Sequence, residues 1–294
     1  MSHFTIPEAF ARGIRGESGT DGDEWLERLP KLVEETLTGW DLTPTGDVMH
    51  GYLAIVVTAH DADATYAVKF TRPGPRADEE AAALSAWSGN GAARLFKSRL
   101  EAGALLLERL DARRTLSVLP IEEAIDVAGS LLRRLAVAPP QGIESLEERV
   151  RSWIEQWTRA FEDCGRPFPR RLLDAAIDLS RQLAPLADRL LVDEDLHYDN
   201  VLAGTREPWS VIDPKVVVGD VEYGIAPLFW NRSEENRFDE RLDGIVQAAG
   251  LRPGHARSWL LVRTIDLWLW AIPLGFTEYA GTCATLIEWL DSLS

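Results

Sequence analysis

The sequence predicts an α+β protein in two lobes, a small β-rich one followed by a larger helical one. Three observations carry that expectation. Runs rich in β-branched and aromatic residues crowd between residues 51 and 108. Amphipathic helical periodicity dominates from Ile121 onward. A length of 294 residues exceeds one ordinary core and suits two. The lobes are expected to divide as 1–108 and 109–294, joined near Glu108–Asp111, with a ligand cleft between them.

Each element has a local reason. Asp23–Leu37 sets Leu26, Leu29, Val33 and Leu37 at helical spacing, and Pro30 is expected to bend or split that helix. Gly51–His60 and Thr65–Phe70 read as strands, and the short polar link Asp61–Ala64 makes them a hairpin. Ala77–Trp87 is Ala-rich and helical, and Ser88–Gly91 stops it. Strands follow at Ala93–Lys97 and Ala104–Glu108. Helices are expected over Ile121–Ala136, Ser145–Cys164 and Arg171–Leu190. Asn200–Ala203 and Trp209–Ile212 flank the turn Gly204–Pro208 as a short hairpin. Beyond Glu222 the chain reads as helical to its end, with the Trp-rich stretch Trp259–Trp270 buried.

Composition narrows the function. Acidic residues outnumber basic ones by 47 to 31, a net charge of −16 that repels phosphate backbones. Nucleic acid is therefore not an expected partner, whereas a cationic small molecule would be attracted. The same acidity also serves solubility alone. The most apolar stretch, Trp259–Gly275, is interrupted by Arg263 and Asp266, so no membrane partner is expected. Met1–Arg15 lacks the long apolar core of a secretory signal, and the expected location is the cytoplasm. The 2 cysteines, Cys164 and Cys283, are too far apart in sequence for a zinc motif.

The segment Asp195-Leu-His-Tyr-Asp-Asn200, followed by Ser210-Val-Ile-Asp213, carries the chemistry. Phosphoryl transfer needs a carboxylate that orients the attacking hydroxyl and takes its proton. It also needs oxygen ligands that hold Mg²⁺ on the nucleotide phosphates. Assigned in order, Asp195 is the base, and Asn200 and Asp213 are the metal ligands. Taken singly, each could equally be a turn cap or a strand end. Lys69, in Ala67-Val-Lys69-Phe70, sits on the strand face opposite Val68 and Phe70. Alone it would read as solvent-facing. A nucleotide-binding protein, however, needs a cation there, and Glu80 shares a helix face with Leu84 and Trp87. Glu79 is the alternative partner. Gly46 and Gly51 lie just before the first strand, where bare backbone could cover phosphates or merely turn the chain.

This order of glycine loop, Ala-Val-Lys, helix Glu, Asp-Leu-His-x-x-Asn and Ile-Asp resembles the aminoglycoside phosphotransferases, relatives of the protein kinases. The blocks Val48–Gly51, Leu84–Leu95, Ile212–Asp220 and Ala226–Arg232 are similar to the streptomycin 6-phosphotransferase and hydroxyurea phosphotransferase branch. The resemblance implies a bilobal protein-kinase-like fold, ATP and Mg²⁺ as cofactors, and transfer of a phosphoryl group to a hydroxyl. It implies a hinge over Leu106–Leu110, with Glu108 and Leu110 meeting the adenine through their backbone. A streptomycin-like guanidino-cyclitol is the implied acceptor; hydroxyurea or a natural-product intermediate is the alternative.

Two departures stand out. The family carries His-Gly before the catalytic Asp, where this chain has Asp193-Glu194, and it favours an Asp where Gly224 stands. The extra carboxyl groups are expected to disfavour ionisation of Asp195 unless something compensates. A nucleotide-binding pseudokinase is therefore a rival reading. A further rival takes Asp193, Asp195, His197 and Asp199 as a metallohydrolase cluster aligned along a strand.

Overall fold

The computed structural model describes residues 4–293. Two compact units partition the chain. One comprises residues up to Asp111 together with Gly204–Arg206, and the other holds the remainder from Ala112.

In the first unit, helix α1 (Glu8–Gly39) precedes strands β1 (Thr43–His50), β2 (Ala54–His60) and β3 (Thr65–Thr71). Helix α2 (Pro75–Trp87) and strands β4 (Leu95–Arg99) and β5 (Ala104–Glu108) follow. The strands form one sheet in the order β1-β2-β3-β5-β4, paired antiparallel throughout. Alternation along β2 and β3 aims Ile55, Val57, Val68 and Phe70 into a core closed by Phe10, Ile14, Leu29 and Val33 of α1. Burying each such side chain stabilises the unit by roughly 1.5–3 kcal/mol.

Two expectations need correction here. The kink in α1 falls at Gly19, which has non-helical angles (φ 52, ψ −131), while the helix runs on through Pro30. Leu29 and Val33, buried on either side of that proline, keep the helix continuous where propensity would interrupt it. Residues 43–50 form a strand where a loop was expected. Their mostly exposed side chains hide the period-2 signal, and pairing with β2 supplies the order.

The second unit contains β6 (Asp111–Thr115, entered from the first unit), α3 (Ile121–Leu135), α4 (Leu146–Asp163) and α5 (Arg170–Leu183). Next come β7 (Leu190–Asp193), β8 (Val201–Ala203), β9 (Trp209–Val211) and β10 (Val216–Gly219). Helices α6 (Pro227–Trp230), α7 (Phe238–Ala249), α8 (Pro253–Ala271) and α9 (Thr277–Ser292) complete it. Ser145 begins α4 with a capping box, exchanging hydrogen bonds with Glu148. The expected helix over Arg171–Leu190 ends earlier, because Pro185 turns the chain and Leu190–Asp193 peels off as β7. The short strands β6, β7 and β10 were not anticipated. Strands β7 and β10 pair with each other, and β6-β8-β9 form a small sheet. The core gathers Trp157, Phe161, Leu173, Tyr223, Trp259 and Trp268. No helix among the described residues is long and apolar enough to cross a membrane.

A short helical turn, Val221–Ile225, follows β10 beneath the Asp-rich segment. It is anchored by Asp220 and Glu222, both nearly inaccessible. Arg252 donates from Nη2 to Asp220 Oδ1 at 2.8 Å, and from Nε and its backbone amide to Glu222 Oε1, each at 2.9 Å. Trp259 Nε1 donates to Asp220 Oδ2 at 2.8 Å. Burial alone would raise both carboxyl groups. For Asp220 the Asp188 amide, Trp259 and Arg252 outweigh it, and for Glu222 the Arg252 donors do, so both sit below their ordinary values of 3.8 and 4.5. Lowered folded-state values add stability that is complete above pH ~4.5 and is lost as pH falls through them. Arg252→Leu should therefore destabilise by about 3 kcal/mol at pH 7, and the gap to wild type should close below pH ~4. Urea unfolding followed by tryptophan fluorescence across pH 3–7 measures this; a gap independent of pH would refute the linkage.

Candidate active site

Lys69 lies in the middle of the sheet, opposite Val56 on β2 and Leu105 on β5. Helix α2 covers it and presents Glu80 beside buried Ala77, Ala81, Leu84 and Trp87. Lys69 Nζ donates to Glu80 Oε1 at 2.6 Å and to Oε2 at 2.7 Å, with both residues buried. Glu80, not Glu79, receives this lysine. A charge so deep is tolerated only when paired, and the pairing fixes where the ammonium can point.

Gly46 and Gly51 mark β1 and the turn after it. Gly46 has φ +97, a conformation that favours glycine, at a register irregularity between Pro44 and Val48. A Cβ added at either glycine would meet no atom within 4 Å, so open space faces the backbone at both. That clearance fits a nucleotide phosphate approaching bare backbone.

Glu108 is held through both its backbone amide and its carboxylate. Its amide donates to the Arg94 carbonyl at 2.8 Å. Its carboxylate is gripped by Arg206, with Nη2 to Oε2 at 2.7 Å and Nε to Oε1 at 3.1 Å. Arg206 also donates to the carbonyls of Gly89 and Ala92. Leu110 is buried, and its carbonyl accepts from Arg109 Nη1 at 3.3 Å.

In the second unit, β7 delivers three consecutive acids to the start of a tight loop. Val216 pairs with Asp193, and the Glu194 amide donates to the Lys215 carbonyl at 2.8 Å. The loop then closes on itself. The His197 amide donates to the Asp195 carbonyl, the Asn200 amide to the His197 carbonyl, and Asn200 Nδ2 back to the Asp195 carbonyl at 3.2 Å. Leu196 and Tyr198, fully buried, pin the alternate residues inward.

Asp195 and Asn200 thus share one turn. The Ile212 amide donates to the Asn200 carbonyl at 2.8 Å, which brings Asp213 to the end of the same hairpin. Asp213 adopts φ +49, uncommon for a non-glycine residue and a feature of constrained sites. Asn200 and Asp213 carry hard oxygen donors of the kind that could hold Mg²⁺. Asp220, Glu222 and His255 also lie close together, but Arg252 and Trp259 already take the carboxylate oxygens. That group is structural.

Sequence reasoning missed Lys215. Its Nζ stands 2.7 Å from Asp195 Oδ2. The only sequence signal was a cation two residues beyond Asp213, within the Ile212–Asp220 block. Lys215 compensates the acidity at Asp195, and two further devices assist. Glu194 is paired with Arg149 and, at 3.2 Å, with Arg263; these cations outweigh burial and hold its carboxyl below the usual range. Asp193 is pushed well above the usual range, chiefly by burial and then by the neighbouring Asp195. The expected like-charge conflict is thereby removed. His197 is held lower than usual by burial, hence neutral near pH 7. The metallohydrolase alignment also fails, because β7 ends at Asp193 and the loop scatters Asp195, His197 and Asp199.

Residues 39–275 match a family model described as aminoglycoside/hydroxyurea antibiotic resistance kinase. The chain is 34% identical to a streptomycin 6-kinase of Streptomyces griseus, over 97% of each. It is 38% identical to a hydroxyurea phosphotransferase of Kitasatospora aureofaciens, over 87% of this chain and 77% of that one. The fold resembles that of a choline kinase from Streptococcus pneumoniae, with a TM-score of 0.60 at 15% identity, covering 90% of this chain and 99% of that one. It likewise resembles aminoglycoside phosphotransferase APH(4)-Ia, solved with AMP-PNP and hygromycin B. There the TM-score is 0.63 at 15% identity, covering 85% of this chain and 95% of that one.

The Lys69–Glu80 pair generates a double-mutant test. Glu80→Ala should cost about 3–5 kcal/mol, because it strands a buried ammonium. Lys69→Met with Glu80→Leu should recover most of that stability while ATP affinity stays lost. Urea unfolding and calorimetric titration with ATP measure the two effects; a double variant that binds ATP normally would remove Lys69 from the nucleotide site.

Proposed function

This chain belongs to the aminoglycoside/hydroxyurea antibiotic resistance kinase family, and from that membership we propose an ATP-dependent O-phosphotransferase acting on a streptomycin-like guanidino-cyclitol. The observation that carries the reading is the Asp195–Lys215 contact at 2.7 Å beside Asn200. Lys215 occupies Oδ2, and Oδ1 has no hydrogen bond among the described residues. Asp195 can therefore take an acceptor hydroxyl on Oδ1, orient it for attack and receive its proton.

Lys69, held by Glu80, is the cation for the nucleotide phosphates, and the absence of side chains at Gly46 and Gly51 leaves room for them. Asn200 and Asp213 would hold Mg²⁺, which when bound offsets charge on the phosphates. Asn200 also keeps the loop closed by donating to the Asp195 carbonyl, so the base and the metal ligand are positioned together. The purine would meet the backbone at Glu108 and Leu110.

A cationic acceptor is supported by Asp199, four residues beyond the base. Among the described residues its exposed carboxylate is steadied by neutral donors, Asn231 Nδ2 at 3.2 Å and Thr115 Oγ1 at 3.4 Å. Two other acids in the helices from α7 on are already engaged: Asp239 accepts from Trp289, and Asp266 from Trp157. The negative total charge would draw such a substrate in. Hydroxyurea is the second reading, and the hydroxyurea phosphotransferase relative favours it.

ATP consumption with streptomycin, other aminoglycosides, cyclitols and hydroxyurea, with mass detection of product, tests the proposal. Streptomycin should be phosphorylated, and Asp195→Asn should lower kcat by roughly 10²–10⁴-fold with ATP binding largely retained. Asp213→Ala should abolish the Mg²⁺-dependent part of the ATP-induced rise in Tm. Turnover of hydroxyurea alone would transfer the assignment to the second reading, and failure to bind ATP would end both.

A further inference from the structure

Asp193 is the most deeply buried of the three consecutive acids, and it makes no ion pair in the site described above. It is 2% exposed, at the last position of β7. Its Oδ1 accepts two backbone hydrogen bonds, from the Asp195 amide at 3.0 Å and from the Lys215 amide at 3.3 Å. Its Oδ2 is buried without any hydrogen-bond partner. An ionised carboxylate with one oxygen stranded in that way would carry a heavy desolvation penalty. A neutral carboxyl, with its proton on Oδ2, removes most of it. Burial accordingly raises this group far above ordinary carboxyl behaviour.

The surroundings are shaped to this residue. Gly224 sits against the strand end, and a Cβ there would fall 2.6 Å from the Asp193 carbonyl oxygen and 3.0 Å from Val192 Cγ1. Leu132 Cδ2 lies at 3.3 Å from the same point. Position 224 can therefore carry no side chain without displacing the backbone that bears Asp193.

We propose that Asp193 is a neutral positioning residue whose Oδ1 holds the amides of Asp195 and Lys215 together, with Gly224 kept bare to admit it. The two residues it holds are the two whose side chains meet at 2.7 Å. One buried acceptor thus sets the register between the base and its cation, which lie on different segments of the chain. Because the acceptor is neutral, it adds no negative charge beside the base. This inference rests on Asp195 being the base.

The test separates position from charge. Asn keeps the Oδ1 acceptor and places a neutral amino group where the carboxyl proton would be. Asp193→Asn should retain at least about a third of the wild-type kcat with streptomycin. Asp193→Ala should lower kcat by roughly 10–100-fold while KM for ATP changes by less than about 2-fold, since small misplacements of reacting groups are costly. Amide exchange at Asp195 and Lys215, followed by NMR, should quicken in Asp193→Ala and in Gly224→Ala but stay slow in Asp193→Asn. An Asn variant as impaired as the Ala variant would overturn the neutral role, and an Ala variant with normal kcat and slow exchange would overturn the positioning role. Should Asp193→Ala fail to fold, the Asn variant decides by kcat and Gly224→Ala by exchange. Amide exchange needs no turnover. If wild type phosphorylates nothing while exchange behaves as expected, the functional reading fails and the positioning role stands.

Discussion

Three carboxyl groups in succession, at positions 193 to 195, impose the constraint that organises the second unit. Packed on one short strand end, they could not all ionise without compensation. The structure gives each a different solution. Asp193 is buried on backbone amides, Glu194 is clamped by Arg149 and Arg263, and Asp195 faces Lys215. Each solution requires a distinct element. Lys215 comes from the lead-in to β10, Arg149 from α4 and Arg263 from α8. The pairing of β7 with β10 is what allows the first of these, and the helices enclose the second.

That arrangement extends outward through aromatic contacts. The guanidinium of Arg263 lies 4.6 Å from the centroid of the Tyr223 ring and 5.4 Å from that of Trp230. Its Nη1 donates to the Tyr223 hydroxyl at 3.0 Å. Tyr223 in turn packs edge-on against Trp259, whose indole N–H anchors Asp220. The tryptophan-rich composition thus has a structural purpose. Large flat side chains surround buried guanidinium groups that an aliphatic core would leave unsolvated. The first unit solves a simpler version of the same problem. It holds one ammonium at the centre of a sheet by a carboxylate from a covering helix, and Ala77, Ala81 and Ala83 let that helix sit close.

Several of these features were legible in the residue order. The strand carrying Lys69, the helix face carrying Glu80 and the hairpin after Asn200 follow from periods of 2 and 3.6, which are local properties. The spacing of Asp195, Asn200 and Asp213 is local as well, because one short hairpin joins them. Exposed β1 was not legible because its side chains show no buried face, and β6, β7 and β10 were not because such short strands show little period; all depend on a partner for order. Pro30 misled for the converse reason. Packing on both sides of it overrode a propensity that sequence alone reports faithfully.

The sequence by itself set out the residues proposed for the chemistry: Lys69, Glu80, Asp195, Asn200 and Asp213, in the order a phosphotransferase needs. It also determined that the acids at 193 and 194 were a difficulty. Only the tertiary structure decided how that difficulty is met. Lys215 reaches Asp195 across two paired strands, Arg149 and Arg263 reach Glu194 from helices remote in sequence, and Gly224 leaves room for the chain at Asp193. Charge compensation depends on distances of a few ångströms between segments far apart along the chain, and no local pattern encodes those distances.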